Sequence, residues 1–291
     1  MNEIKIVTYN ILADYLNSHE YVLVNKKYLD NEFRIKLLTK RIKKLLTDYN
    51  KTIFCIQEIG PTQLSYLYVW FQKFNYNCIS FNGLAIFYPI KFEIISAETN
   101  YINKINFIDS IKDKNLVESL NDFKHSYILL RIKSKYFKEV TLCTTHLVAN
   151  PKYDDIKILQ TYLLAKNLEK YKRVILCGDF NSMPDSSVYN LLNNGKGKLS
   201  NQKELKIKNK LTSSFKLLYN DEINITTHAS NKSTPIFTET IDYIWSSSNL
   251  IPVESSKVRT LENIKKSYGT DYLPNKVEPS DHFYLSIKYK F

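Results

Sequence analysis

The chain has 291 residues, of which 44% are hydrophobic and 24% are charged, a composition typical of a folded globular protein and unlike a disordered one. It contains no run of about 18 apolar residues, and its beginning lacks a targeting pattern, so we expect no membrane span and a cytoplasmic location. The formal net charge of +12 favours polyanionic partners, nucleic acid above all, or an anionic membrane surface.

Short apolar, β-branched runs recur along the chain and are separated by helical or polar stretches. They predict strands at 4–9, 52–56, 84–88, 127–132, 139–145, 173–177, 240–245 and 283–289. Apolar stripes and start signals predict helices at 31–46, 154–169 and 185–192. Strands interspersed with covering helices indicate one α/β domain over residues 1–291, with 111–123 and the Lys-rich stretch 195–210 as loops or insertions.

Polar residues stand at the ends of several predicted strands, where a rigid scaffold can present a site. They are Asn10, Glu58, His146, Asp179, Asn181, Asp242, Asp281 and His282. Each has an ordinary explanation on its own, as a turn former, a helix cap or a hydrogen-bonded structural residue. The set is harder to explain that way, because carboxylate and amide oxygens suit Mg²⁺ or Mn²⁺ and no Cys/His cluster competes for a softer metal.

Two histidines in this set could serve phosphate binding and proton transfer, so the inventory predicts metal-assisted cleavage of a phosphoester. The remaining histidines, His19, His125 and His228, are interpreted as structural.

Six ordered blocks in the sequence resemble the signature of the endonuclease/exonuclease/phosphatase superfamily. They are TYN at 8–10, QE at 57–58, THL at 145–147, GDFNS at 178–182, IDYI at 241–244 and SDH at 280–282. Finer features, YLDNEFR at 28–34 and GLAIFY at 83–88, are similar to the deadenylase branch with the carbon catabolite repressor enzymes, nocturnin, the 2′-phosphodiesterases and the Angel proteins. The stretches 178–186 and 273–275 resemble the Angel proteins most, and no leucine-rich-repeat docking segment is present.

The resemblance implies a two-layer β-sandwich flanked by helices, with the site at one end of the facing sheets. The implied metal ligands are Glu58, Asn10, Asp281 and Asp179. The implied catalytic residues are Asp179, Asn181, His146, His282 and Asp242. The residues implied to bind the terminal base are Asn150, Pro151 and Phe237.

The function implied by the resemblance is a Mg²⁺-dependent 3′→5′ exoribonuclease of deadenylase type, with Mn²⁺ as a possible substitute. It would act on single-stranded RNA 3′ ends and release 5′-nucleotide monophosphates, with no membrane partner. Within the branch the alternatives are an RNA 2′,3′-cyclic phosphatase or a 2′,5′-phosphodiesterase. An inactive RNA-binding module is the alternative from another class, and abasic-site DNA repair or lipid-phosphate cleavage fits the general blocks alone.

Overall fold

The structure is a computed structural model that describes residues 3–16, 21, 23–46, 50–107, 111, 113–135, 137–230, 236–257, 259–268 and 272–291. In this part of the chain, two six-stranded mixed sheets face each other and carry helices on their outer surfaces. The predicted fold class, an α/β two-layer sandwich flanked by helices, is confirmed.

The strands, numbered in chain order, are β1 (Glu3–Asn10), β2 (Thr52–Gln57), β3 (Tyr76–Phe81), β4 (Leu84–Pro89), β5 (Glu93–Tyr101), β6 (Ser126–Ser134), β7 (Phe137–His146), β8 (Val174–Asp179), β9 (Lys196–Lys198), β10 (Glu204–Lys206), β11 (Thr212–Ser213), β12 (Thr227–Ala229), β13 (Phe237–Glu239), β14 (Asp242–Ser246), β15 (Ile251–Ser255) and β16 (Leu285–Lys290). The helices are α1 (Lys26–Leu29), α2 (Asn31–Leu45), α3 (Pro61–Gln72), α4 (Lys114–Asn121), α5 (Asp154–Leu168), α6 (Ser187–Asn194), α7 (Ser214–Tyr219) and α8 (Leu261–Tyr268). Among these helices none combines the length and the apolar composition that a membrane crossing requires.

Each sheet contains one parallel pair of strands joined by a crossover helix. The first sheet has the order β15-β16-β1-β2-β4-β3, and the second has the order β11-β14-β8-β7-β6-β5. Strands β1 and β2 are parallel and are joined through α2, whereas β7 and β8 are parallel and are joined through α5. The carboxyl ends of all four strands lie at the same end of the sandwich, which is where loops can gather polar side chains.

The interior of the sandwich is apolar and closes the two sheets against each other. Ile6, Ile86, Leu142 and Ile175 belong to one buried cluster that draws on both sheets. The outer face of the first sheet is covered by α2 and α3, and that of the second sheet by α5 and α6. Burial of these apolar faces, rather than helix propensity alone, holds the crossover helices in place.

The predicted elements are present with shifted ends, and the regions predicted as loops contain regular structure. The helix predicted at 185–192 begins at Ser187, because the Ser186 side chain accepts a hydrogen bond from Tyr189 N at 3.2 Å and caps it. The loop prediction for 111–123 is wrong: the stretch contains α4, which buries Leu120 and is capped by Asp113. The stretch 195–210 contains the two-stranded hairpin of β9 and β10.

Candidate active site

The predicted site residues meet at one end of the sandwich because of strand register. Asn10 lies beside Gln57 in the parallel pair of β1 and β2. His146 lies beside Asp179 in the parallel pair of β7 and β8. Asp242 begins β14 and faces Asp179 across the antiparallel pair. Residues distant along the chain are therefore neighbours at the ends of adjacent strands.

A hydrogen-bonded chain beneath the site fastens one sheet to the other. Thr8 Oγ1 donates to Gln57 Oε1 at 3.2 Å, and Gln57 Nε2 donates to Thr144 Oγ1 of the second sheet at 2.9 Å. All three side chains are buried, so losing one partner would leave an unsatisfied polar group in the core. The strand ends above this chain are consequently held at a fixed separation.

Glu58 follows β2 in a left-handed backbone conformation, with φ of 54°, which is unusual for a residue other than glycine. Its two carboxylate oxygens are both engaged by the loop after β1. Asn10 Nδ2 donates to Oε1 at 2.8 Å, and the Ala13 backbone N–H donates to Oε2 at 3.2 Å. The Asn10 Oδ1 atom accepts from Leu12 N at 3.1 Å. The carboxylate is therefore oriented, and Asn10 turns its amide nitrogen towards it.

Asp179 is the point where the site converges. Its Oδ2 atom lies 3.0 Å from Asn10 Nδ2, 3.5 Å from His146 Nε2 and 3.7 Å from His282 Nε2. Its Oδ1 atom accepts from the Asn181 backbone N–H at 2.9 Å. A buried carboxylate that accepts on both oxygens is held in a fixed orientation, which suits it to accept a proton or to hold a cation.

Asn181 is fixed in the loop after β8. Its backbone φ is 47°, and its Nδ2 donates to the Leu147 carbonyl at 2.9 Å. Gly178, the residue directly before Asp179, has φ of 141°, and a Cβ there would lie 1.9 Å from Thr145 O. Only glycine allows β8 to approach β7 so closely at this point.

His282 and Asp242 form a buried pair. His282 Nδ1 lies 2.8 Å from Asp242 Oδ2. Burial alone lowers the pKa of the imidazole, but Asp242, Asp281 and Asp179 raise it well above its ordinary value. Burial raises the pKa of Asp242 to about 6, against the lowering effect of His282. At neutral pH the pair is therefore an imidazolium facing a carboxylate, and His282 Nε2 carries a proton towards Asp179.

Asp281 is held by Tyr21, which is distant along the chain, and by its neighbour Ser280. Tyr21 OH donates to its Oδ2 atom at 2.6 Å, and Ser280 Oγ lies 3.3 Å from Oδ1. Ser280 Oγ also donates to the Asn10 carbonyl at 2.7 Å, which ties the loop before β16 to the end of β1. The nearest approach of Asp281 Oδ2 to His282 Nε2 is 4.0 Å.

Arg34 of α2 joins the loop that follows Asn10 to the loop that carries Asp281. Its guanidinium is buried and donates from Nε to the Pro279 carbonyl at 2.8 Å and from Nη2 to the Ile11 carbonyl at 2.6 Å. Burial lowers the pKa of Arg34, and Asp281 opposes that effect. The N–H groups of a planar guanidinium can donate to several carbonyl oxygens at fixed angles, so Arg34 fits this position.

The predicted base-binding residues line the same cavity as the polar cluster. Asn150, Pro151 and Phe237 border a space of about 650 Å³ together with Glu58, His146, Ala149, Asp179, Asn181, Thr227, Ala229, Ile241, Asp281 and His282. Phe237 begins β13 of the hairpin formed with β12. Asn150 Oδ1 accepts from Lys152 N at 2.9 Å, which caps the turn that follows. One wall of the cavity is thus acidic and imidazole-rich, and the other is largely apolar.

The donor set fits a hard divalent cation. Ligand atoms of Glu58, His146 and Asp179 lie within 4.8 Å of one another, and so do those of Asp179, Asp242 and His282. Carboxylate oxygens predominate, as Mg²⁺ and Mn²⁺ prefer. The first group is the less buried of the two and opens to the cavity, whereas His282 and Asp242 of the second group are already paired. The individual ligand and catalytic roles remain predictions.

Some positioning residues went unrecognised in the sequence, and one region lies outside the structure described. The sequence indicates no role for Tyr21 or Arg34, because the groups that they bond are distant along the chain. Burial lowers the pKa of His125 to about 4, and the nearby imidazole of His146 contributes to this lowering. His228 Nδ1 pairs with Thr238 Oγ1 at 2.7 Å, and His19 lies outside the described residues.

The fold and the site together define a phosphoesterase of the nuclease or phosphatase type. The chain belongs to the Endonuclease/Exonuclease/phosphatase family, whose model matches residues 7–282. The predicted superfamily and its deadenylase branch are confirmed by this match and by the relatives below.

The chain is similar to the CCR4-Not complex 3′-5′-exoribonuclease subunit Ccr4 of Kluyveromyces lactis, with 25% identity over 99% of this chain and 41% of that protein. It therefore spans about two fifths of the length of that relative. Among solved structures it resembles ANGEL2, a 2′,3′-cyclic phosphatase, in complex with adenosine-2′,3′-vanadate, with a TM-score of 0.80, 22% identity and coverage of 99% and 95% of the two chains. The human Nocturnin catalytic domain has a TM-score of 0.70, 21% identity and coverage of 100% and 95%.

Proposed function

We propose that this protein is a Mg²⁺-dependent 3′→5′ exoribonuclease of deadenylase type, which hydrolyses single-stranded RNA 3′ ends and releases 5′-nucleotide monophosphates. The observation that carries the proposal is the convergence of Asn10, His146 and His282 on Asp179 Oδ2, at 3.0, 3.5 and 3.7 Å. The named activity of the Ccr4 relative, a 3′-5′-exoribonuclease, supports the choice of RNA and of polarity.

The chain's own residues account for the reaction at the phosphorus atom. Asp179 accepts a proton from the attacking water, and Asn181 holds that water against the phosphate. The new bond joins the water oxygen to phosphorus, and the bond from phosphorus to the 3′-oxygen of the preceding nucleotide breaks. That oxygen takes a proton from solvent, so the products are a 5′-monophosphate and an RNA shortened by one nucleotide. Positioning and charge neutralisation provide most of the acceleration.

The two imidazoles act on the nonbridging oxygens, where negative charge grows in the transition state. His282 is held as an imidazolium by Asp242, so its Nε2–H can donate while Nδ1–H remains bonded to the carboxylate. His146 borders the cavity from the other side of Asp179. Donors fixed before the reaction stabilise this charge without reorganisation.

Glu58 would hold the cation, with Asp281 and Asn10 beside it. When bound, a hard divalent cation supplies charge neutralisation for the scissile phosphate and for the departing oxygen. Asn10 would need to present Oδ1, which now accepts from Leu12 N, to serve as a direct ligand. In its present orientation Asn10 bridges Glu58 and Asp179 and keeps the two carboxylates together.

The apolar wall of the cavity supports a base-binding role. Phe237 could stack on the terminal base, and Pro151 could close the other side of the pocket, since both border the same space as the catalytic cluster. Base stacking on an aromatic side chain is worth about 1–3 kcal/mol. The neighbouring Glu239 is a hydrogen-bond acceptor that could influence which base is preferred.

The test is an assay with three labelled RNAs that share one sequence and end in 3′-OH poly(A), a 2′,3′-cyclic phosphate or a 2′,5′-linked adenylate. With Mg²⁺ present, we expect a ladder of shortened products from the 3′-OH substrate and release of adenosine 5′-monophosphate. Glu58→Ala serves as the inactive control. Activity on the cyclic end alone would overturn the proposal, and binding without any turnover would favour the inactive RNA-binding module.

A second candidate is an RNA 2′,3′-cyclic phosphatase. The likeness to the ANGEL2 structure over nearly the whole of both chains favours it. At 22% identity that likeness shows the fold alone, so we rank this activity below the exoribonuclease activity. The cyclic-phosphate substrate in the same assay decides between the two.

A further inference from the structure

A second concave site lies at the opposite end of the second sheet. It is a cavity of about 600 Å³ between the end of α5, the loop before β8, the segment 208–212 and the turn at 247–249. We call it the basic cavity, after its lysines Lys172, Lys208 and Lys210. Strand β8 separates it from Asp179, and six residues at about 3.3 Å each place the two sites roughly 20 Å apart.

Hydrogen bonds fasten the walls of the basic cavity to one another. The Lys208 backbone N–H donates to Glu169 Oε1 at 2.5 Å, and Asn209 Nδ2 donates to the Glu169 carbonyl at 2.9 Å. On the other side, Asn249 Nδ2 donates to the Lys172 carbonyl at 2.9 Å. Three segments from distant parts of the sequence are therefore held in a fixed arrangement around the opening.

The cavity carries positive charge that the protein itself does not neutralise. In the described part of the chain, no carboxylate lies within 4.0 Å of the ammonium groups of Lys172, Lys208 and Lys210. The one acidic residue in the wall, Glu169, is already engaged by Lys166 at 2.8 Å and by the backbone of Lys208. Three lysines that line one opening attract a multiply charged anion.

The lower part of the cavity is apolar and could receive a flat group. Leu168 and Leu211 are buried in its floor, and the ring of Tyr171 lies in its wall. Lys210, which lines the cavity, has its Cγ close to Gly195: a Cβ at Gly195 would lie 3.2 Å from it. An apolar floor beneath charged donors matches a base or sugar that bears phosphates.

We propose that the basic cavity binds a nucleotide-type ligand with two or more phosphate groups, either a segment of an RNA chain or a free nucleoside polyphosphate. This is a second site, and it uses none of the catalytic residues. It also gives a role to the Lys-rich stretch 195–210, which the hydrolytic reaction leaves unused.

The test compares two triple variants that lose the same charge. The first is Lys172→Gln, Lys208→Gln and Lys210→Gln. The matched control changes three exposed lysines to glutamine elsewhere on the surface. They are Lys73 at the end of α3, Lys114 in α4 and Lys265 in α8. Binding of adenosine triphosphate, inorganic tripolyphosphate and a single-stranded RNA of 20 adenylates is measured by titration in EDTA at about physiological ionic strength, where screening is realistic.

We expect the first triple to weaken binding of at least one probe more than tenfold, and the control to change it less than twofold. For the RNA, three lost phosphate contacts at about 0.7 each should reduce the slope of log K against log salt by about 2. The probe that responds identifies the source of the phosphates. Equal losses in both triples, or no binding of any probe to the unaltered protein, would overturn the proposal.

Turnover of a 3′-OH diadenylate separates this proposal from the catalytic one. The substrate is too short to reach the basic cavity from Asp179, so the first triple should cleave it at the unaltered rate. Absence of turnover by the unaltered protein, with binding lost only in the first triple, would refute the exoribonuclease and leave the second site standing. A diadenylate rate that falls more than tenfold in the first triple would contradict the separation of the two sites.

Discussion

Single atoms at the end of the sandwich determine the chemistry, and Asp179 Oδ2 has the most neighbours there. Asp179→Asn keeps the shape of the side chain and removes its charge, so we expect kcat on 3′-OH poly(A) to fall by about 10²–10⁴-fold, the usual contribution of a general base. The melting temperature should stay within a few degrees. The exposed Asp185→Asn serves as control and should retain full activity. A kcat within threefold of the unaltered protein would contradict the role of Asp179.

The His282–Asp242 pair gives a prediction about pH. Asp242 accepts from Nδ1, so a proton on Nε2 is present only in the imidazolium form, which the raised pKa preserves through neutrality. Asp242→Asn removes one of the carboxylates that raise this pKa, so the imidazolium should be lost at a lower pH. We expect the alkaline limb of kcat/KM against pH to move towards acid in the variant. An unchanged limb would exclude His282 as the titrating donor.

At the level of elements, the approach of β8 to β7 depends on one glycine. Gly178→Ala would place a Cβ 1.9 Å from Thr145 O, so we expect the free energy of unfolding to fall by more than about 3 kcal/mol, the upper range of ordinary overpacking. Gly83→Ala is the matched control, because Gly83 also has a positive φ but nothing within 4 Å of the added Cβ. That variant should lose only about 1–2 kcal/mol. Chemical denaturation of both variants measures the difference.

Helix α2 positions the site through Arg34, which is 2% exposed. Arg34→Met leaves the carbonyls of Ile11 and Pro279 without their donor, and each charge-assisted bond is worth about 1.5–3 kcal/mol. We expect unfolding free energy and kcat to fall together. Lys36→Met on the same helix is the control, since Lys36 is 72% exposed in its side chain and should change stability by less than about 0.5 kcal/mol. A stable, fully active Arg34→Met protein would show that the two loops need no such tie.

At the scale of the whole molecule, cation binding and folding should be linked. The clustered carboxylates repel one another, and a cation that binds only the folded state stabilises it by about 2.7 kcal/mol at a hundred times its Kd. We therefore expect Mg²⁺ to raise the melting temperature by several degrees and EDTA to reverse the effect. Glu58→Gln should abolish the rise, whereas the exposed helical Glu262→Gln should retain it. A rise of equal size in both variants would place the cation elsewhere.

The distribution of charge belongs to the same scale. The excess of basic residues gives a net charge of +12, yet the catalytic pocket is acidic where the cation would bind. A net positive charge favours the approach of a polyanion such as RNA, while the acidic pocket remains suited to a cation. The hydrophobic interior shared by both sheets holds these opposed regions in one rigid body of packed strands.

Local patterning determined the two crossover helices, α2 and α5, and the strands that carry the site residues. The strand ending at Asn10 and the helix beginning after Asp30 were predictable, because a short apolar, β-branched run and a capping side chain are properties of neighbouring residues. Helix α4 was not, since its apolar face of Leu116, Val117 and Leu120 spans only eight residues, too few turns for a helical period to be recognised. The short strands β9 and β10 were also not predicted. Each has only three residues, and each is defined by its pairing with the other.

The sequence by itself determined the family, the fold class and the set of polar strand ends from which a phosphoesterase site could be built. Those features depend on residue type and on order along the chain. Only the tertiary structure decided which atoms meet: that Asn10 joins Glu58 to Asp179, that Arg34 and Tyr21 hold the loops, and that three lysines surround a second cavity. These contacts join residues far apart along the chain, and their distances follow from sheet register and loop closure, which no local pattern encodes.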